Sequence, residues 1–240
     1  VYINALLFLR IDSGMTRQRR SDMIAETRGK LIAAGRHAFA TKGYAAASME
    51  DFTANAGLTR GALYHHFGDK KGLFEAVVEQ INSEMAACLQ AIIDEADTVW
   101  DGFLNQSIAS IKMAVDPEIQ RIMVLDGPAV LGDPSRWPIR SACIDYTARR
   151  ISVLVKEGTA KQIDAESAAH LINGAAFSAS LWIASAADPH AVLDKAINSF
   201  ITLTSGLLKG PASLPATGKS KKTSVGRKAK NYRKPRKINP

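Results

Sequence analysis

Between Ser48 and Lys70 the chain spaces hydroxyl, guanidinium, phenol, imidazole and ammonium groups a few residues apart: Ser48, Thr59, Arg60, Tyr64, His65, His66 and Lys70. Groups of this kind either ligate a metal, through the imidazoles, or donate hydrogen bonds to an anion or a base edge. Adjacent helical residues diverge by about 100°, so His65 and His66 cannot easily share one ion, and no metal is expected. That leaves recognition of a polyanion. An arginine fork can reach O6 and N7 of guanine, while hydroxyl, phenol, imidazole and ammonium groups suit phosphate oxygens.

These side chains need a frame, and the local sequence supplies one. Ser48-Met49-Glu50-Asp51 reads as a helix start, with a capping hydroxyl and an acid three residues on. Thr59 can cap a second short helix, and only Gly57-Leu58 separates Ser48–Ala56 from Thr59–Phe67. Gly57 suits the turn because glycine tolerates positive φ, and Leu58 can fill the angle between the helices. Two short helices about a glycine turn form a helix-turn-helix, whose second helix enters a DNA major groove. Ala62, Leu63 and Phe67 are then expected to face inward, and Arg60, Gly61, Tyr64 and His65 outward. Upstream, Ile24, Leu31, Ala34, Ala38 and Phe39 recur at helical spacing until Gly43 ends the run. Downstream, Lys70 opens a long helix through Leu73, Phe74, Val77, Val78 and Ile81.

The run from Ala47 to Lys70, with its core Leu63-Tyr64-His65-His66-Phe67, resembles the DNA-binding signature of TetR-family regulators, as does the preceding Ala38-Phe39-Ala40-Thr41-Lys42-Gly43-Tyr44. The resemblance covers roughly residues 22–80. It implies an all-α chain with an N-terminal three-helix helix-turn-helix DNA-binding domain and a C-terminal helical ligand-binding and dimerisation domain. By position, Arg60, Gly61 and His65 would face bases, and Ser48, Thr59, Tyr64, His66 and Lys70 would hold the backbone. It further implies a homodimer on a palindromic double-stranded DNA operator, released by a small-molecule effector, most often acting as a repressor in the cytoplasm. The stretch Arg121–Trp137 also resembles one branch of the family.

The remaining sequence reads as helices punctuated by proline and glycine, with no strand alternation: Val99–Val115, a run from Asp116-Pro117 to Gly127-Pro128, then Ser141–Lys156, Asp164–Ala186 and Pro189–Leu208. Asp126–Pro138 reads as a bent connection. Phe103, Met123 and Phe177 lie mid-helix and could line a gap between helices, although ordinary core packing is the competing reading. Asp126, or His170 and Asn173, could orient a ligand; a helix-end or turn role is the alternative for Asp126. A dimer seam is expected within residues 164–208, from Ala168, Ala169, Ile172, Ala175, Ala176, Ala179 and Ile183 on one helix and Leu193, Ile197, Phe200, Ile201, Thr204 and Leu208 on the next. Packing within one chain would use the same stripes.

Charge is sorted along the chain. The net +8 divides into +5 for residues 1–71, −8 for 72–208 and +11 for 209–240. Basic ends around an acidic middle call for a polyanion at the ends, nucleic acid or an anionic membrane surface. The expected organisation is a flexible leader (1–21), the reader (22–71), the helical domain (72–208) and a disordered Lys/Arg-rich tail (209–240), the tail serving as a non-specific DNA anchor. No run nears the ~20 apolar residues of a membrane span, so no stable membrane association is expected. Two cysteines cannot build a disulfide scaffold or a structural zinc site. No nucleophile elbow, phosphate-binding glycine loop or zinc spacing is present, so neither an enzyme nor a cofactor is expected. Two other classes fit the charge: a nucleoid-structuring protein dominated by its tail, and a membrane-surface adaptor using Val1–Leu9 and the tail.

Overall fold

The computed structural model describes residues 2–54 and 57–210, with side chains from Arg19 onward except at 135 and 138–140. The expected basic tail therefore lies, from residue 211, outside the described residues. Within them every regular element is helical, apart from an isolated bridge between Ala160 and Leu208.

Helix α1 (Tyr2–Ala46) takes in residues 2–21, expected as a flexible leader, and is interrupted at Gly43, whose φ of 78° and ψ of 166° are not helical. The break falls where the sequence places it. Helices α2 (Met49–Thr53) and α3 (Arg60–Phe67) follow, then α4 (Lys70–Asp94) and α5 (Val99–Met113). The next stretch departs from the expectation. Short α6 (Pro117–Ile119) runs into a π-helical segment, Gln120–Asp126, and on into α7 (Gly127–Leu131). The helix does not stop at Gly127-Pro128: helical backbone continues from Asp126 through Pro128, which sits in the first turn of α7. The bent connection is correspondingly shorter, Gly132–Trp137, with one 3-10 turn at Pro134–Arg136. Helices α8 (Pro138–Lys156), α9 (Ala165–Ser185) and α10 (Pro189–Ser205) complete the fold.

Aspartate and hydroxyl caps set most of the starts. Ser48, Thr59, Asp69, Thr98, Asp116, Asp164 and Asp188 each accept a backbone N–H of the helix that follows.

One apolar cluster joins the small N-terminal bundle to the rest. Leu31, Phe39, Phe52, Leu63, Leu73, Phe74, Val77 and Ile81 are fully buried, and Ile119, Ile122, Met123 and Val124 pack into the same cluster. The π segment is thus part of the floor on which α1 and α4 rest. Arg36 reinforces this junction. Its guanidinium donates to Glu118 at 2.7 and 2.8 Å and to Glu84 at 2.8 and 2.9 Å, tying α1 to α6 and α4. Two carboxylates on one guanidinium, chiefly the hydrogen-bonded Glu118, hold Arg36 firmly protonated.

The second cluster, with Leu104, Ile111, Ala196, Ile197, Phe200 and Ile201, and a smaller third with Ile151, Ala168 and Ala169, build the C-terminal domain. They revise the expected dimer seam. Ala168, Ala169 and Ile183 of α9, and Ile197, Phe200, Ile201 and Thr204 of α10, are buried within the chain itself. Periodicity identified an apolar face but could not say that its partners are α5 and α8. The large apolar side chains left exposed are Leu171, Leu181 and Trp182 on α9 and Leu203 on α10.

Candidate nucleic-acid interface and effector cavity

The reader is held from below and open above. Leu63 of α3 is fully buried and Phe67 partly so, while Arg60, Gly61, Tyr64 and His65 are exposed on the outer face. Leu63 packs in the cluster that contains Phe39, Phe52 and Phe74, with ring centroids 5.0–5.1 Å apart from Phe39. An eight-residue helix is too short to be stable alone. It persists because this inner face is anchored and both ends are capped: Thr59 Oγ1 accepts from Ala62 N at 3.2 Å, and Gly68, at φ 76°, closes on Tyr64 O.

Helix α2 is fixed by a reciprocal cap. Ser48 Oγ accepts from Asp51 N at 3.3 Å, and Asp51 Oδ2 accepts from Ser48 N at 2.8 Å. Lys42 also bonds to Asp51, and this interaction, followed by those of Ser48, pulls the Asp51 carboxyl from an ordinary 3.8 down to about 2. A depressed folded-state pKa contributes stability above the unfolded value and loses it as pH falls toward the folded one. Wild type should therefore melt higher than Asp51→Asn at pH 6, with the gap closing between about pH 4 and pH 2. A gap that stays constant across that range contradicts the assignment.

Each expected DNA-contacting residue has a definite place. Ser48 and Thr59 are exposed N-caps whose hydroxyls already serve the backbone. Arg60 is 63% exposed and pairs with Glu50 at 2.7 Å. Tyr64 is 56% exposed. His65 is exposed, and its ring lies 5.4 Å from that of half-buried His66. Lys70 is partly buried. Its Nζ donates to Ala45 O at 3.2 Å and lies 4.5 Å from the Tyr44 ring, so it braces the corner between α1 and α4. Burial of its ring, then the nearby Asp69 and Glu75, raises the Tyr44 hydroxyl pKa above 10.0.

A cavity of about 140 Å³ opens in the C-terminal domain. Met123 and Phe177 line it, as expected, and so does Asn173, which donates to Thr147 Oγ1 and Ala169 O. Phe103 is buried outside the lining, and His170 is exposed. Sequence reading missed the neutral polar groups on the wall, among them Gln106, Ser107, Ser110 and Ser180; single serines on a helix carry no signal of facing a hole. Trp137 also lines it, and its buried Nε1–H meets no acceptor among the described residues.

Asp126 is not at the cavity. Its Oδ2 accepts from Tyr44 N at 2.7 Å and from Arg121 Nε at 3.1 Å. The Arg121 guanidinium lies directly over Gly43, where an added Cβ would come within 1.9 Å of Nη2. The role of Asp126 is therefore a junction between the π segment and the end of α1. Met123 and Val124 of the same segment line the cavity, so one short element touches both the cavity and the reader.

Comparison with known proteins agrees with this layout. Residues 31–77 match the model of bacterial regulatory proteins of the tetR family, and residues 100–207 match the tetracyclin repressor-like C-terminal domain. A solved TetR-family transcriptional regulator from Pectobacterium atrosepticum is 45% identical, with TM-score 0.72, covering 79% of this chain and 98% of that one. The Tn10 TetC protein of Escherichia coli is 24% identical over 169 residues, 66% of this chain and 80% of TetC. The transcriptional repressor AcnR of Corynebacterium jeikeium is 36% identical over 63 residues, 26% of this chain and 33% of AcnR. No helix among the described residues is long and apolar enough to cross a membrane. With a capped, outward-facing α3 on a braced three-helix base and matches across both halves, the chain belongs to the TetR family of transcriptional regulators.

Proposed function

We propose that the protein is a ligand-responsive repressor that binds a palindromic operator as a homodimer and releases it when a small molecule occupies the C-terminal cavity. The observation that carries the reading is α3: Arg60, Gly61, Tyr64 and His65 stand exposed while Leu63 locks the opposite face. Arg60 and His65 read base edges, and Gly61 leaves room for close approach. Ser48, Thr59, Tyr64 and His66 contact phosphates, and Lys70 holds the corner that aims them. Arg60 must leave Glu50 to do so. An exposed pair is worth about 0–1 kcal/mol, against about 1–3 kcal/mol for a bidentate guanine contact, so DNA wins.

Two protomers meet through residues 164–208. The exposed stripe of α9, Leu171, Gly174, Ser178, Leu181 and Trp182, is apolar at both ends and open at Gly174, which suits close packing against a two-fold mate. Filling the cavity pushes on Met123 and Val124, and the π segment passes the displacement through Asp126 and Arg121 to Gly43-Tyr44, altering the spacing of the two readers. Kinship to a protein named a repressor supports the sign of regulation.

Arg60→Ala tests the reading. It should cost about 1–3 kcal/mol at one base pair of each half-site and relax the preference there. Equal losses on operator and scrambled duplexes would contradict base reading by Arg60.

A further inference from the structure

The turns of α1 just before the matched segment 31–77 lie outside the helix-turn-helix itself. Arg20, Ile24 and Arg28 recur every four residues, so they fan over about 80° of one helix face. Asp22 and Glu26 each stand two residues from an arginine of this stripe, which places both acids on the opposite side. Lys30 is also there, paired to Glu26 at 2.8 Å. The stripe of Arg20 and Arg28 thus carries no acid, whereas the opposite side mixes Asp22 and Glu26 with Arg19 and Lys30.

The cationic face adjoins the reader. Arg28 is exposed, and its guanidinium carbon lies 5.4 Å from the centre of the Phe67 ring, the last residue of α3. Arg20, also exposed, continues the stripe away from α3 by about 12 Å along the axis. Phosphates of one DNA strand advance about 3.4 Å per residue along the duplex, so this separation spans several of them.

We infer that Arg20 and Arg28 form a clamp on the phosphate backbone flanking each half-site, extending the DNA interface beyond the helix-turn-helix. This rests on α3 facing the duplex, because Arg28 reaches the backbone only from that side. The clamp carries no sequence information. It strengthens binding by releasing counterions, and its signature is a steeper salt dependence.

The test uses the full chain, an operator selected from a random duplex library, the same operator trimmed to its half-sites, and a scrambled duplex. Binding is followed by fluorescence anisotropy from 50 to 200 mM KCl. Arg20→Gln should reduce the slope of log K against log salt by about 0.9 for each phosphate no longer neutralised, and R20Q/R28Q by about twice that. The ratio of operator to scrambled affinity should not change, and the trimmed duplex should bind wild type and variants alike. Lys30→Gln, on the opposite face, should leave the slope unaltered. An unchanged slope in R20Q/R28Q, an equal drop in Lys30→Gln, or a drop that persists on the trimmed duplex would overturn the clamp. If wild type fails to prefer the operator, the regulator reading falls instead, and the slopes on scrambled DNA still decide the clamp.

Discussion

Phe39→Ala should lower stability by about 3–5 kcal/mol, a large fraction of the roughly 5–15 kcal/mol that a typical domain possesses. Phe39 has no exposed surface and stands at the centre of the reader's rings: Tyr44 at 5.8 Å, Phe52 at 5.1 Å and Phe74 at 5.0 Å. Truncation removes a ring from the middle of that group and leaves a hole that three helices must collapse around. The seat of Leu63 belongs to the same cluster, so operator binding should fail together with the fold of the N-terminal bundle. Phe39→Leu, which keeps most of the volume, should lose much less. Urea denaturation followed by circular dichroism reads both, and an alanine variant within about 1 kcal/mol of wild type would contradict the packing.

Gly43→Ala should destabilise by about 1–3 kcal/mol through the backbone alone, since its φ and ψ lie in a region open essentially to glycine. The added methyl also meets the Arg121 guanidinium, and the flexible arginine yields before the main chain does. Arg121 would then be drawn away from Asp126, slackening the junction between the π segment and the reader. Two losses are expected, one in stability and one in the ability of a cavity ligand to change DNA affinity. Combining Gly43→Ala with Arg121→Ala separates them: the double variant should recover the steric part and retain the backbone part. A Gly43→Ala protein as stable as wild type would show that the break at this position is not needed.

The reader was legible in the sequence because its determinants are local. Ser48 and Thr59 lie beside the N–H groups they cap, Gly43 and Gly68 mark ends by residue type, and Leu63 against Arg60 and Tyr64 follows from helical period. What stayed hidden involves distance or degeneracy. Asp126 meets Tyr44 across 82 residues, a pairing no spacing rule encodes, and a carboxylate beside Gly-Pro reads equally as a turn residue. The π segment leaves no mark in composition, since a wider helical turn uses the same residue types. On α9 and α10 the apolar stripes were legible, but not that their innermost residues pack against α5 and α8 of the same chain. Hydrophobic period reports that a face is covered without saying whether by its own chain or a second one. Lys70 shows the same limit for charge: its place beside the reader helix gives no sign that its ammonium also meets Ala45 O and the Tyr44 ring.

The central claim is that the outer face of α3 lies in a major groove and distinguishes one sequence from another. Dimethyl sulfate methylates N7 of guanine, an atom in that groove which an arginine fork covers. Full-length protein on DNA carrying its selected operator should protect guanines in two half-sites about one helical turn apart, and Arg60→Ala should abolish protection at one guanine in each. Uniform reactivity along a duplex that the protein nonetheless binds would contradict it.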